Sequence, residues 1–137
     1  LNALLDVNLL VAWGWADHEH HAFVTDWLSE FSSKKSNRIF TSAIPQLGFV
    51  RVSIHRGGGS ITPESAGKVL GSMIQSLGKK HLFVADDLAS DHVWPVWCRG
   101  AGKTTEAHLV ELARRHDAVL VTLDQGIQGE GVHLLTP

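Results

Sequence analysis

Apolar residues in this chain fall into two patterns: short unbroken runs, and longer stretches in which they return every three or four positions. Ala3-Leu4-Leu5 is a run of the first kind and stops at Asp6. Arg38-Ile39-Phe40-Thr41, His81-Leu82-Phe83-Val84, Ala118-Val119-Leu120-Val121-Thr122 and Val132-His133-Leu134-Leu135 read the same way, as short strands. These runs lack the in-out alternation of a half-exposed strand, so both faces are expected to be covered.

Helical stretches lie between them. Val7 to Trp15 has helical character directly after the first run. From His20 to Phe31, the residues Phe23, Trp27, Leu28 and Phe31 share one face of an amphipathic helix. Ile44, Leu47, Val50 and Ile54 repeat the helical spacing and predict a helix beginning near Ser42. Thr62-Pro63-Glu64 supplies an N-cap, a proline at the first helical position and an acid in the first turn, for a helix through Leu77 that stops at Gly78. Thr104 to His116 carries Leu109, Leu112, Ala113 and His116 on one stripe, with Glu111 and Arg115 paired one turn apart. Asp86 to Trp97 follows neither pattern. Strands alternating with helices predict a three-layer α/β/α domain around a mainly parallel sheet of four or five strands.

The 137 residues are 44% hydrophobic and 19% charged, with 13 Gly and 4 Pro, which suits one globular domain over residues 1–137 and excludes disordered or collagen-like chains. No internal repeat is present, and Gly57 to Gly59 is too short for an interdomain linker. A single cysteine, Cys98, excludes an internal disulfide and fits a reducing cytoplasm. The longest nearly apolar stretch, Leu9 to Ala16, is about half of the ~20 residues a membrane span needs. No signal-peptide pattern opens the chain, so no membrane association is expected. Twelve Lys and Arg against fourteen Asp and Glu give a net charge of −2, so a polyanion has to be held by a local patch. Arg51 with His55 and Arg56, Lys79 with Lys80 and His81, and Arg99 with Lys103 are the candidate clusters. Each reads equally as ordinary solvated surface.

In open parallel α/β sheets, ligands sit beyond the carboxyl ends of the strands. Two of the runs here end in acid, at Asp6 and at Asp124. Glu106, three residues before Leu109 in the strongest helix, lies on or beside its inward stripe. Carboxylates gathered at one sheet edge repel one another. A hard divalent cation resolves that repulsion, and all-oxygen ligation favours Mg²⁺ or Mn²⁺ over zinc. Taken singly, each acid has a plainer reading: Asp6 as an N-cap, Glu106 as a favourable first-turn charge, Asp124 as a turn residue before Gly126.

Four segments together carry a resemblance. Leu4-Leu5-Asp6-Val7-Asn8, the stretch Thr41 to Val52, Thr105-Glu106-Ala107-His108-Leu109 with Leu112-Ala113, and Val121-Thr122-Leu123-Asp124-Gln125-Gly126 resemble, in order and spacing, the motifs of PIN domains of the VapC toxin type. The likeness covers nearly the whole chain. It implies a PIN-like fold and a Mg²⁺- or Mn²⁺-dependent endoribonuclease cutting tRNA or rRNA, dimeric and neutralised by a VapB-type antitoxin. Carried over by position, Asp6, Glu106 and Asp124 become metal ligands and catalytic acids, and Asn8, Gln46 and Thr122 supporting polar groups. Gln46 stands where the family offers Glu, keeping an oxygen but losing a charge. Glu106 stands where Asp is usual. Arg51, Arg99 and Lys103 are the expected phosphate contacts. Because of Gln46, a PIN-fold module that binds RNA or protein with little catalysis is the alternative.

Other signals are weaker. Gly100 to Thr105 resembles the end of a phosphate-binding loop, but Trp97 replaces its first glycine and no convincing strand precedes it. Asp6-Val7-Asn8 lacks the second acid that an aspartyl phosphatase uses. Asp17 to His21 is rich in zinc-ligand types without a distant partner. The five tryptophans suit packing more than base stacking. Asp86, Asp87 and Asp91 could offer a further acid in place of the charge lost at Gln46.

Overall fold

The computed structural model describes residues 1–137. Each apolar run forms a strand: β1 Asn2–Leu5, β2 Arg38–Thr41, β3 His81–Phe83, β4 Ala118–Thr122 and β5 Val132–Leu134. The helices are α1 Val7–Gly14, α2 His21–Ser33, α3 Ala43–Arg56, α4 Pro63–Ser76 and α5 Thr104–Arg115. The strands make one sheet in the order β3-β2-β1-β4-β5, and every neighbouring pair is parallel. Asp86 to Trp97 contains no helix or strand.

Side chains alternate across the sheet, and the two faces take different helices. Ala3, Leu5, Ile39 and Val121 point into a core shared with Leu9 and Leu10 of α1, Val24 and Leu28 of α2, Phe49 of α3 and Leu70 of α4. Leu4, Phe40 and Leu120 point the other way, onto Leu109, Leu112 and Ala113 of α5. Full burial of one such leucine stabilises the fold by about 1.5–3 kcal/mol. The α1 helix lies so close to α3 that a Cβ on Gly48 would stand 2.5 Å from Val7 Cγ2. That closeness pins the start of α1, and with it Asp6, against its neighbour α3 in the same helical layer.

Local chemistry sets the boundaries. Thr62 and Ser65 form a reciprocal capping box at the start of α4, with Pro63 in the first turn. Gly78 stops that helix at φ +57°, a backbone conformation open to glycine. Since all strands run the same way, the residues after β1, β2 and β4 emerge at one edge. Asp6, Ser42 and Leu123 are those residues. No helix is long and apolar enough to cross a membrane.

Candidate active site

Asp6 leaves β1 and opens α1 as its N-cap, with Oδ1 accepting the Val7 backbone N–H at 2.7 Å. Its Oδ2 accepts a 2.7 Å bond from Thr122 Oγ1 on β4. The Thr122 oxygen in turn accepts from Asn8 Nδ2 at 3.1 Å and from the Asp124 backbone N–H at 3.0 Å. Asn8 Oδ1 accepts the Leu123 N–H at 3.1 Å, which ties the first turn of α1 to the end of β4. The capping role of Asp6 is therefore compatible with membership of a cluster.

Asp6 is 3% exposed. Burial pushes its carboxyl up to about 6; the bonds from Thr122 and Val7 oppose that rise, and the negative charges of Glu106 and Asp124 add to it. Three acids from sequence-distant segments thus share one electrostatic neighbourhood. Glu106, in the first turn of α5, has a buried Oε2 with no hydrogen-bond partner. Ser42 Oγ, at the end of β2, is a second buried oxygen without one. Such atoms are uncommon in a folded interior and call for a partner.

Asp124 is held differently. Its Oδ1 accepts the Gly126 N–H at 2.8 Å and its Oδ2 the Lys103 ammonium at 2.6 Å. The lysine holds this carboxyl below the usual range, and the same bond raises the ammonium above its own. As the side chains stand, no three Asp, Glu, His or Cys groups close tightly enough to enclose an ion. Asp124 is turned to Lys103 instead. The donors themselves, anionic oxygens with one buried and unpartnered, suit a hard divalent cation.

Gln46 is tied elsewhere: Nε2 donates to Thr41 Oγ1 at 2.9 Å, and that hydroxyl lies 2.6 Å from His81 Nε2. Burial keeps His81 below its usual range, so the neutral ring accepts from Thr41. Gln46 makes no hydrogen bond to the acids. Arg51 on α3 and Arg99 before α5 are exposed, whereas Lys103, expected as a phosphate contact, is engaged by Asp124. Asp86 does not join the acids as a free charge: its Oδ2 lies 2.7 Å from His108 Nε2 in a well-covered pair, and its Oδ1 accepts the Leu88 N–H. In the histidine-rich segment, His18 accepts the His20 N–H and His21 meets the Ala12 carbonyl. Neither the Lys103–Asp124 bond nor the Asp86–His108 pair was legible in spacing, because each depends on where side chains from separate segments meet.

No family model matches the chain. Individual proteins do. It is 36% identical over 138 residues to ribonuclease VapC39 of Mycobacterium tuberculosis, across 93% of this chain and 91% of that protein. Ribonuclease VapC38 of the same organism is 39% identical over 132 residues, covering 91% and 86%, and ribonuclease VapC29 is 32% identical over 127 residues, covering 93% and 89%. Similarity at this level covers more than nine-tenths of the chain, and the chain therefore belongs to the VapC ribonucleases, the PIN-domain toxin family whose motifs its own segments resemble.

Proposed function

We propose that this chain is a Mg²⁺- or Mn²⁺-dependent endoribonuclease that hydrolyses phosphodiester bonds in structured RNA of the tRNA or rRNA class. In this reading it acts in the cytoplasm and is held in check by a VapB-type antitoxin. The observation that carries it is Asp6: a buried carboxylate fixed by two hydrogen bonds, with Glu106 and Asp124 near enough to raise its pKa. Asp6, Glu106 and Asp124 would hold the ion. When bound, Mg²⁺ or Mn²⁺ supplies charge neutralisation at the scissile phosphate and a water of lowered pKa.

The chain's own residues supply the rest. Val7 and Thr122 fix both Asp6 oxygens, so its free lone pairs keep one orientation. Asn8 and Thr122 lock β4 to α1 and so set the distance between Asp6 and Asp124. No side-chain nucleophile is needed, and nothing in the cluster reads a base edge. RNA choice then rests on shape and on phosphate contacts, for which exposed Arg51 and Arg99 are available.

A homodimer is supported by the open side of the sheet. Gln46, Leu47, Val50, Leu70, Ile74 and Phe83 line a groove beside edge strand β3, and Leu47 and Phe83 are 64% and 49% exposed. A second copy would cover this apolar face.

The deciding experiment is incubation of total bacterial RNA with the purified, antitoxin-free protein in Mg²⁺, in Mn²⁺ and in chelator, beside Asp124→Asn. Discrete fragments that need the cation and the aspartate support the reading. Intact RNA in every lane, from a folded protein, favours a binding module instead, for which the engagement of Gln46 by Thr41 is the motivating observation.

A further inference from the structure

Lys103 lies immediately before α5 and three positions before Glu106, with Nζ 2.6 Å from Asp124 Oδ2. Gly126 makes room for it: a Cβ there would meet Lys103 Nζ at 3.0 Å and Cε at 3.3 Å. The lysine side chain is 37% exposed, so it lies along the cluster rather than trailing into solvent. Its ammonium feels Asp124 most strongly, then Glu106 and Asp6. Asp124 Oδ1 is already used by the Gly126 N–H, which leaves Oδ2 as the oxygen turned towards a cation. Glu106 Oε2 remains without a partner, so one ammonium answers only part of the charge of three carboxylates.

An ammonium in contact with a carboxylate oxygen and a divalent ion bound to that same oxygen repel each other strongly, because both charges sit within a few ångströms in a partly desolvated pocket. The geometry points to Lys103 as a resident counter-cation of the acid cluster, which a divalent ion displaces from Asp124 and which is thereby released towards the scissile phosphate. This inference rests on the metal-dependent reading above and adds to it a residue that sets metal affinity from within the chain. It has two consequences. Removing the lysine charge tightens metal binding, and loading the metal uncovers the lysine amine.

The test follows Mn²⁺ binding to the antitoxin-free chain by calorimetry at low ionic strength, for the wild type, Lys103→Met and Lys103→Gln, with folding checked by circular dichroism. In parallel, acylation of each lysine of the wild type by an activated ester is quantified by mass spectrometry with and without Mn²⁺. Both variants are expected to bind Mn²⁺ roughly two- to fivefold more tightly, the scale of a partly exposed ion pair. Lys103 is expected to acylate faster in Mn²⁺, while Lys68, paired with Glu64 on α4, is unchanged. Equal or weaker Mn²⁺ affinity in the variants, with Lys103 acylation indifferent to Mn²⁺, overturns the displacement and leaves the metal-dependent reading standing. Absence of Mn²⁺ binding in the wild type and both variants sinks that reading and the displacement together. If a variant misfolds, the acylation of the wild type still decides.

Discussion

Thr122 and Asp6 are 116 positions apart in the chain, and the threonine hydroxyl donates a 2.7 Å bond to the Asp6 carboxylate with both side chains buried. The parallel pairing of β1 with β4, which sets Leu5 opposite Val121, brings them together. Thr122→Val keeps the shape and removes the hydroxyl, leaving Asn8 Nδ2 and the Asp124 N–H without their acceptor. Stranding a fully buried group costs about 1–3 kcal/mol, and these two are only part-buried, so together they cost about that much. Urea unfolding is expected to show a loss in that range. The acidic limb of the pH–cleavage profile is expected to move to higher pH, since Asp6 loses a bond that favours its charged form. Unchanged stability with an unmoved limb would show the bond to be dispensable.

Asp6 itself is a site of stored instability. An aspartate titrates at 3.8 in the open chain and at about 6 in this fold, so between those values the folded state holds the proton more tightly. Its contribution to stability therefore declines as pH rises through that window and stays low above it, a difference of about 3 kcal/mol. Asp6→Asn is expected to abolish cleavage and, in chelator at pH 7.5, to unfold at higher denaturant than the wild type. The gap should shrink as pH falls below 6 and close only below about pH 3.8. His81, whose pKa is lowered by burial, acts in the opposite direction, losing stability as pH falls through 6.5, but does so equally in both proteins and cancels. A variant less stable than the wild type at pH 7.5 contradicts the argument.

The sequence patterns carried the architecture because burial dictates them. Ala3-Leu4-Leu5 and Ala118 to Thr122 are apolar on both faces because helices cover both faces of the sheet. Thr62-Pro63-Glu64 announced α4 through local hydrogen bonding alone. Asp86 to Trp97 gave no pattern because its order is irregular: Trp94 reaches back to the Ser90 carbonyl and Pro95 offers no donor. That Asp6 and Asp124 follow strands ending at one sheet edge was inferable from the apolar runs, and the place of Glu106 from the start of the helical stripe of α5. The partners of Lys103 and Gln46 were not, since a long side chain at an element end can reach in several directions and only the packed structure selects one.

Gln46 provides a direct separation of roles. Its amide nitrogen donates to Thr41, whose hydroxyl also meets His81, and Gln46 makes no hydrogen bond to Asp6, Glu106 or Asp124. Gln46→Ala is expected to lower the cleavage rate less than about threefold, with a stability loss near the ~1 kcal/mol of one hydrogen bond. Asp124→Asn should lose at least about a hundredfold, the upper range even for groups that only support a metal ligand. Single-turnover cleavage of one RNA by both variants is the measurement. Equal losses would place Gln46 in the chemistry.

The apolar groove beside β3 predicts an assembly. Phe83 and Leu47 expose rings and methyls that a second copy would cover, and β3 pairs on one side only, with β2. Phe83→Asp, at an already exposed position, is expected to leave the circular dichroism spectrum unchanged and to shift the mass seen by light scattering from dimer to monomer. Val93→Asp, which is 91% exposed on the β3–α5 segment, serves as the control and should not change that mass. A wild type that is monomeric at high concentration removes the dimer.

Metal affinity must carry the imprint of the Asp6 proton. A cation competes with that proton, and a carboxyl that titrates at about 6 is mostly ionised at pH 7.5 but mostly protonated at pH 5. Asp124 is held below the ordinary carboxylate range by Lys103, so it stays ionised across this interval and contributes no slope. Mn²⁺ affinity measured at pH 7.5, 6.5, 5.5 and 5 is therefore expected to be nearly flat at first and then to weaken, approaching about tenfold per pH unit once Asp6 is protonated. The bend should fall near pH 6 and move upward in Thr122→Val, where Asp6 has lost the hydroxyl. A flat profile down to pH 5 would mean that Asp6 is not a ligand.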